Sequence, residues 1–345
     1  MKYFYPNYYK NFKCIADECP DSCCKDWDVV VDDKSQSFYE TVGGEFGAKL
    51  KRLTAIDGDG DRIFVSKNGR CPFWNNEMLC DIYINLGEEH LCSTCKSFPR
   101  ISQDYTYFTE YMLSFACPEA ARLMLTHDEI FNFETSVTSD KKAGFDTGMM
   151  NFLLAARKIT FDILNDLSVN FTERLRTCLA FNMKIQDIID EEDFDIYKIP
   201  KIETSLAKSV KADSSFIFEL HLKLDIMNQD WRNLLEETGK QARIQKISEN
   251  FDREFTILSK YYIYRYYLTA IDSFDVISTI KRIVCAYTVI GHILSSDKKL
   301  TPKQRVLVMQ RYSKEVEHSY ENSEMLEKEF YCNPDFSGES LIKLL

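Results

Sequence analysis

Nine of the chain's twelve cysteines fall before residue 118: Cys14, Cys19, Cys23, Cys24, Cys71, Cys80, Cys92, Cys95 and Cys117. The stretch FKCIADECPDSCCKDW, from Phe12 to Trp27, holds four of them, two adjacent. The intervals are C-x4-C-x3-C-C, then C-x8-C-x11-C-x2-C, then Cys117 after 21 residues. Sulfurs this dense must be joined as disulfides, bound to a metal, or individually buried, and each choice dictates a different fold.

The compartment helps to choose. The amino terminus, MKYFYPNYYKNFKC, has no apolar run of signal-peptide length and no small-residue cleavage site. The most apolar segment, IVCAYTVIGHIL from Ile283, has 12 residues, short of the roughly 18 that a membrane span needs. A cytoplasmic chain with no membrane association is expected, and there thiols stay reduced. Metal ligation is therefore favoured over disulfides, with buried free thiols accounting for a few of the nine.

Thiolates are soft ligands for zinc and for iron–sulfur clusters. Zinc sites tend to come as two tidy short-spaced pairs, and here only Cys92 and Cys95 make a pair of the shortest kind. The irregular remainder favours an iron–sulfur cluster, taken as [4Fe-4S], with zinc as the alternative. Cys117 is followed by Pro118, as the last cysteine often is in ferredoxin-type runs. There are more thiols than one four-ligand site needs, so some are spare or there are two sites. The radical-generating arrangement C-x3-C-x2-C is absent, because Cys24 follows Cys23 directly.

The rest of the composition is that of an ordinary globular protein: 345 residues, 45% hydrophobic and 28% charged. A net charge of −11 argues against a nucleic-acid partner and permits a lysine-bearing protein substrate. Five of the eight prolines and nine of the twelve glycines lie before residue 150. A loop-rich cysteine domain is therefore expected over residues 1–140, and a helical domain over 141–345. WDVVVDD from Trp27 and DRIFVSK from Asp61 read as short strands, with DGDGD as the turn before the second. PEAARLMLTH reads as a helix with Pro118 in its first turn.

Beyond Phe145 the period becomes helical. Phe152, Ala156, Ile159, Ile163 and Leu167 form one stripe, Leu175, Cys178, Leu179 and Ile185 a second, and Ile280, Ile283, Val284, Tyr287, Ile290 and Leu294 a third. IPKIETSLAKSVKAD and SSDKKLTPKQR read as breaks, the latter starting a helix with Thr301 as N-cap and Pro302 as its first residue. The fold class is mainly α: a small loop-rich α+β cysteine-cluster domain, then a helical one.

Taken together, YPNYYKNFKCIADECPDSCCKDWDVVVD, CPFWNNEMLCDIYINLGEEHLCSTCKSFPR, LSFACPEAARLML and YSKEVEHSYEN resemble, in order, four blocks of the flagellin lysine N-methylase family, which is related to the small CxxCxxCC cysteine-cluster proteins. Pro6, Tyr8, Phe12, Cys14, Cys19, Cys23, Cys24, Trp27 and Asp32 fill the roles of the first block. Lys96 and Lys314 stand where the family has arginine, and Trp74 replaces a leucine. Lysine lacks the planar two-pronged contact of arginine. Cys92 is an extra thiol in this comparison, leaving Cys14, Cys19, Cys23, Cys24, Cys71, Cys80, Cys95 and Cys117 as the implied metal ligands.

The resemblance implies transfer of methyl groups from S-adenosylmethionine to lysine side-chain amines, with flagellin as the protein substrate. No glycine-rich strand–turn–helix fingerprint appears, so the donor's site follows from resemblance alone. A lysine amine is protonated at neutral pH and must lose its proton before it can attack. Glu317 and His318 are the candidate catalytic pair. With Glu321 they could also form one solvated helix face. His90, His127, His221 and His292 lack any such support and read as surface or core residues. The five tyrosines between Tyr261 and Tyr267 could hold a cation on their ring faces, though helical spacing favours packing. The acidic run DEEDFD from Asp190 reads as a solvated loop. The alternative to an enzyme is an iron–sulfur or zinc module whose helices bind a partner.

Overall fold

The computed structural model describes residues 2–58, 60–127, 133–137, 147–203, 213–242, 247–297 and 299–345. The first part alternates short elements: β1 (Lys2–Pro6), α1 (Asp33–Thr41), α2 (Gly44–Arg52), β2 (Thr54–Ile56), β3 (Arg62–Phe64), α3 (Asp81–Leu86), α4 (Ser93–Ser97), β4 (Arg100–Asp104), β5 (Phe108–Leu113), α5 (Pro118–Thr126) and β6 (Phe133–Val137). Helices then dominate: α6 (Thr147–Asn165), α7 (Phe171–Asp190), α8 (Ser215–Lys223), α9 (Gln229–Gln241), α10 (Asp252–Tyr266), α11 (Ala270–Ser273), α12 (Ile277–Ser296), α13 (Pro302–Glu317), α14 (Tyr320–Cys332) and α15 (Gly338–Leu344). The fold is mainly α with a small α+β part in front, as the composition shift implied.

One sheet has the order β4-β5-β1-β6. β1 runs parallel to β5, Lys2 opposite Phe108, and antiparallel to β6, Lys2 opposite Val137. A parallel neighbour cannot be reached through a tight turn. The chain leaves β1 and returns through the β4–β5 hairpin, and eight of the nine front cysteines lie on that excursion. Cys117 follows just after it.

The segment WDVVVDD does not become a regular strand. Val29 and Val31 exchange hydrogen bonds with β3 (Phe64 N–H to the Val29 carbonyl at 3.1 Å, Val31 N–H to the Arg62 carbonyl at 2.7 Å), but only Val30 and Ile63 form a bridge. Asp32 stops the extension by capping α1, accepting from the Ser35 N–H at 3.0 Å. The first helical stripe ends sooner than its pattern suggests. Phe152 and Ala156 are fully buried, whereas Leu167 lies beyond α6 and is 75% exposed. α13 begins as expected, with Thr301 and Gln304 in a reciprocal capping box and Pro302 in the first turn. The break read over 199–213 and the domain border at residue 140 fall largely or wholly outside the described residues.

Buried apolar side chains form two clusters. The smaller gathers Val29, Val31, Tyr39, Leu50, Phe64, Phe73 and Ile82 around Cys71 and Cys92. The larger unites the helices with Tyr8, Phe12, Phe108, Met112, Phe115 and Met124, so apolar packing continues from the sheet and α5 into the helical part. At its centre lies α12, packed by α7, α8, α9, α10, α13, α14 and α15. It is long and apolar enough to span a membrane by composition, yet 94% of its apolar window is buried inside the protein.

Two buried polar contacts fix how these parts sit. Glu110 of β5 and Arg157 of α6 make a two-pronged pair at 2.6 and 2.8 Å, both enclosed. On α13, Glu315 accepts the Met227 N–H at 2.9 Å, while its other oxygen has Arg311 at 3.7 Å. Burial pushes the Glu315 carboxyl up to about 7, against the pull of the Met227 N–H and Arg311.

Replacing Glu110 by Gln leaves the Arg157 guanidinium buried without its counter-charge. We expect a loss of about 3–5 kcal/mol in urea unfolding, largely recovered in the double variant Glu110→Leu, Arg157→Met. For Glu315 the folded pKa lies above the unfolded one. Its contribution is therefore fully present below the ordinary carboxyl range and fades as pH rises through about 7. Between pH 5 and 8 the wild type should lose on the order of 2 kcal/mol relative to Glu315→Gln; a difference independent of pH would refute that reading.

Candidate functional site

The cysteine loops are bound to one another through their backbones. The Cys71 N–H donates to the Cys24 carbonyl at 2.9 Å and the Asp26 N–H to the Gly69 carbonyl at 2.7 Å. The Ser93 N–H at the start of α4 donates to Asp32 at 2.7 Å, and the Thr94 hydroxyl to the Val30 carbonyl at 2.9 Å. Asp32 thus caps two helices at once and draws Cys92 and Cys95 towards the first loop.

The nine front thiols form a continuous set of neighbours. Cys24 sits between Cys23 and Cys71, whose thiols donate to it and hold it down to about 3. Cys80 feels Cys24, and Cys95 bonds Cys92 and feels Cys23 and Cys24. Cys14, Cys19 and Cys117 form a second knot, joined to the first through Cys23. Cys80, Cys92 and Cys117 are the N-cap residues of α3, α4 and α5, where the positive end of a helix favours a thiolate. Burial nevertheless pushes Cys117 up to about 12, against the N–H groups of Ala120 and Glu119.

As a donor set these residues suit a soft metal in chemistry and in neighbourhood. Among the described residues, no three Cys, His or carboxylate side chains close on a common point as an ion's ligands do. The thiols are gathered, not converged. Cys92, ranked last by the family comparison, lies in the same basin as Cys95.

α13 presses against this basin. Lys314, 1% exposed, donates to both oxygens of Asp21 at 3.0 and 3.1 Å and lies 3.5 Å from Asp26. Gln310 donates to Asp21 at 2.9 Å and to the Ala116 carbonyl at 2.7 Å. Burial alone would raise the Asp21 carboxyl, but Lys314, Gln310 and Arg311 outweigh it and hold it below its ordinary range. Lys314 also stands 5.1 Å over the Trp27 ring, and the Trp27 indole donates to the Cys23 carbonyl at 2.6 Å. A lysine where the family has arginine is therefore accommodated as a point charge between two carboxylates.

The candidate pair ends the same helix. His318 lies against Trp27 and Phe98, ring centres at 5.3 and 6.2 Å, with Nε2 2.9 Å from the Ser114 hydroxyl. Crowding by the protein, and then the charges of Arg265 and Lys314, hold its imidazole near 4 against the opposing effect of Glu317. His318 is thus neutral at pH 7, and it keeps an edge open to solvent.

Glu317 points the other way, into the protein. One oxygen accepts from Tyr261 at 3.0 Å, Tyr266 at 2.9 Å and Arg265 at 2.8 Å. Its second oxygen is buried with no hydrogen-bond partner, as is the Tyr262 hydroxyl. Such orphans are uncommon in folded proteins. Tyr261 further accepts the Phe115 N–H at 3.3 Å, so Ser114, Phe115 and Ala116, just ahead of Cys117, are gripped by His318, Tyr261 and Gln310 in turn.

The structure therefore brings Glu317 and His318 together with the cysteine basin. The tyrosine run divides: Tyr264 and Tyr267 bond the Phe4 carbonyl and Asn182, while Tyr261 and Tyr266 serve Glu317. His221 and His292 are buried core residues bonded to Tyr312 and Ser214. His90 stacks on Phe38 at 3.9 Å. Asp21, Ser114 and Arg265 were missed from sequence, and no periodicity or spacing marks them. Gln310 and Lys314 lie on the capped helix and could have been paired with the cysteine loop only by knowing the fold.

Residues 157–344, more than half of the chain, match the FliB lysine N-methylase C-terminal domain. The chain is 30% identical to the lysine-N-methylases of Salmonella choleraesuis (strain SC-B67) and Salmonella typhimurium (strain LT2) over 128 residues, covering 35% of this chain and 31% of each relative. It is also 30% identical over 133 residues to the flagellar biosynthetic protein FliU of Salmonella muenchen, covering 35% of this chain and 75% of that one. The match thus spans about a third of the length of the two lysine-N-methylases. No solved structure matches. On the strength of the domain match across its helical half, the chain belongs to the FliB lysine N-methylase family.

Proposed function

We propose that this protein is a protein-lysine N-methyltransferase that transfers the methyl group of S-adenosylmethionine to lysine amines, with flagellin as its substrate, in the cytoplasm. The observation that carries this reading is the meeting of Glu317 and His318 with Trp27, Ser114 and the cysteine basin at the end of α13. In the reaction the amine lone pair attacks the methyl carbon, the carbon–sulfur bond breaks with its electrons going to sulfur, and a neutral thioether leaves. The amine must arrive unprotonated and finally release a proton.

The surroundings of His318 supply the first requirement. The crowding on one side of His318 and the positive charges of Arg265 and Lys314, which lower this imidazole, also depress an ammonium brought beside it. Glu317 faces inward, its second oxygen buried, and through its 2.8 Å pair it holds Arg265 where that charge acts on His318. The open edge of His318 can pass the departing proton to water.

Cys14, Cys19, Cys23, Cys24, Cys71, Cys80, Cys95 and Cys117 are the proposed ligands of an iron–sulfur centre, with zinc as the alternative. Such a centre, when bound, supplies positive charge that turns buried thiols into thiolates and stiffens the loops carrying Trp27 and Ser114.

Mass spectrometry of flagellin incubated with donor should show 14-Da additions on lysines with the wild type. His318→Ala and Glu317→Gln should each lower the rate by roughly a hundredfold. Failure of the anaerobically purified protein to bind S-adenosylmethionine would favour a cluster-carrying module instead. Purified without oxygen, the protein should be brown and contain iron, and Cys23→Ser or Cys24→Ser should lose metal. A colourless protein with zinc would replace the cluster by a zinc site, and full metal in both variants would refute the ligand set.

A further inference from the structure

Among the described residues three lysines are buried: Lys260, Lys281 and Lys314. Lys314 meets Asp21 at 3.0 Å, and Lys281 donates to the Phe330 carbonyl at 2.6 Å. Lys260 of α10 is 5% exposed and makes neither a hydrogen bond nor an ion pair. An enclosed lysine without a partner is rare, because a bare charge is costly to hold out of water. The charge that does act on Lys260, that of Arg174, has its own sign.

Arg174 lies on α7 and is itself buried. One terminal nitrogen donates to the Leu164 carbonyl at 2.6 Å and to the Thr256 hydroxyl at 2.8 Å, and the other has Asp252 at 3.6 Å. Its Nε is buried with no hydrogen-bond partner. Thr256 stands one turn before Lys260 on the same face of α10. The seam between α7 and α10 therefore holds two donors, Lys260 Nζ and Arg174 Nε, that an acidic group at this place would serve together.

Burial, and then Arg174, push the Lys260 ammonium down to about 8. About a tenth of the molecules then hold a free amine at pH 7, against roughly one in 2,500 for an ordinary lysine. A free amine is a nucleophile. With so little of the side chain open, no modifying enzyme can close on it, whereas a three-atom gas can reach it. We propose that carbon dioxide carbamylates Lys260 and that the carbamate pairs with Arg174 between α7 and α10. The amine lone pair attacks the carbon of carbon dioxide, one carbon–oxygen π pair moves onto oxygen, and the nitrogen gives a proton to water. The product carries one negative charge and two acceptor oxygens. Like charges become opposite ones, and Arg174 gains an acceptor. None of these groups belongs to the site at the end of α13. The same helix, however, carries Tyr261, Arg265 and Tyr266 onto Glu317, so the carbamate pins an element that shapes that site.

Carbon NMR of the full-length protein, equilibrated with isotopically labelled bicarbonate as the source of carbon dioxide, tests this. The wild type should show a protein carbamate resonance beyond that of its amino terminus. Lys260→Arg, which keeps the charge and never presents a free amine, should lack it. Ethylation with an oxonium salt, then digestion and mass spectrometry, should find an ethyl carbamate on Lys260. Arg174→Gln should need about tenfold more bicarbonate for the same occupancy; the trapped adduct and Lys260→Arg decide the matter even where that variant fails to fold. An equal resonance in Lys260→Arg would overturn the proposal, as would recovery of Lys260 unmodified after trapping. Bicarbonate that raises the melting temperature no more than chloride does, with no trapped adduct, would mark a site for a free anion and overturn it as well.

Discussion

The arrangement of the site depends on one buried ion pair, Lys314 with Asp21. Removing two charges from water costs several kcal/mol each. The cost is offset only where the geometry is tight and the remaining donors and acceptors are used. Here the Lys314 ammonium meets both oxygens of Asp21, approaches Asp26, and lies over the Trp27 ring, while Gln310 completes Asp21. A hydrophobic contact of the same size could slide. This one cannot, because each displaced charge would be left without a partner. It sets the register between α13 and the loop that carries Cys19, Cys23 and Cys24, and with it the positions of His318 and Trp27.

That register matters because the thiols cannot organise the loop alone. Their backbones are held by Asp32, by the Cys24–Cys71 hydrogen bond and by three helix N-termini, yet the sulfurs do not converge. Buried thiols favour their neutral form, as the rise at Cys117 illustrates. A cation in the basin would reverse that preference. The protein therefore gathers soft donors at small energetic cost without drawing their sulfurs to one point, while α13 keeps the basin and the Glu317–His318 end in fixed relation.

The sequence makes some of this legible. Helices announced by local chemistry are found where expected, α13 from Thr301 and Pro302 and α5 from Pro118, because caps act within one turn. The cysteine frame is also visible, since reduced thiols at such density have few roles. Contacts between distant residues leave no such trace. Glu110 with Arg157, Asp21 with Lys314 and Glu317 with Arg265 join segments far apart in the chain, and each partner alone looks like an ordinary surface charge. Val29 to Val31 has strand propensity and makes strand-like hydrogen bonds to β3, but the cap at Asp32 leaves it too short to continue. Leu167 fits a helical stripe and is exposed all the same, because α6 has already ended.

The tyrosines show the limit most clearly. The run from Tyr261 to Tyr267 has the density of a cation cage, and the structure uses it for packing and for hydrogen bonds to a carboxylate. Helical spacing turns successive residues to different sides, so the four tyrosines on α10 and Tyr267 just after it face several neighbours and do not share one face. In Tyr3, Tyr5, Tyr9 and Tyr111 the opposite holds. Alternation on β1, the parallel register with β5 and one short turn direct four dispersed rings to a single face. What decides whether aromatic residues gather on one face is the periodicity of the backbone that carries them, and at Tyr111 that periodicity is brought alongside β1 only by the sheet.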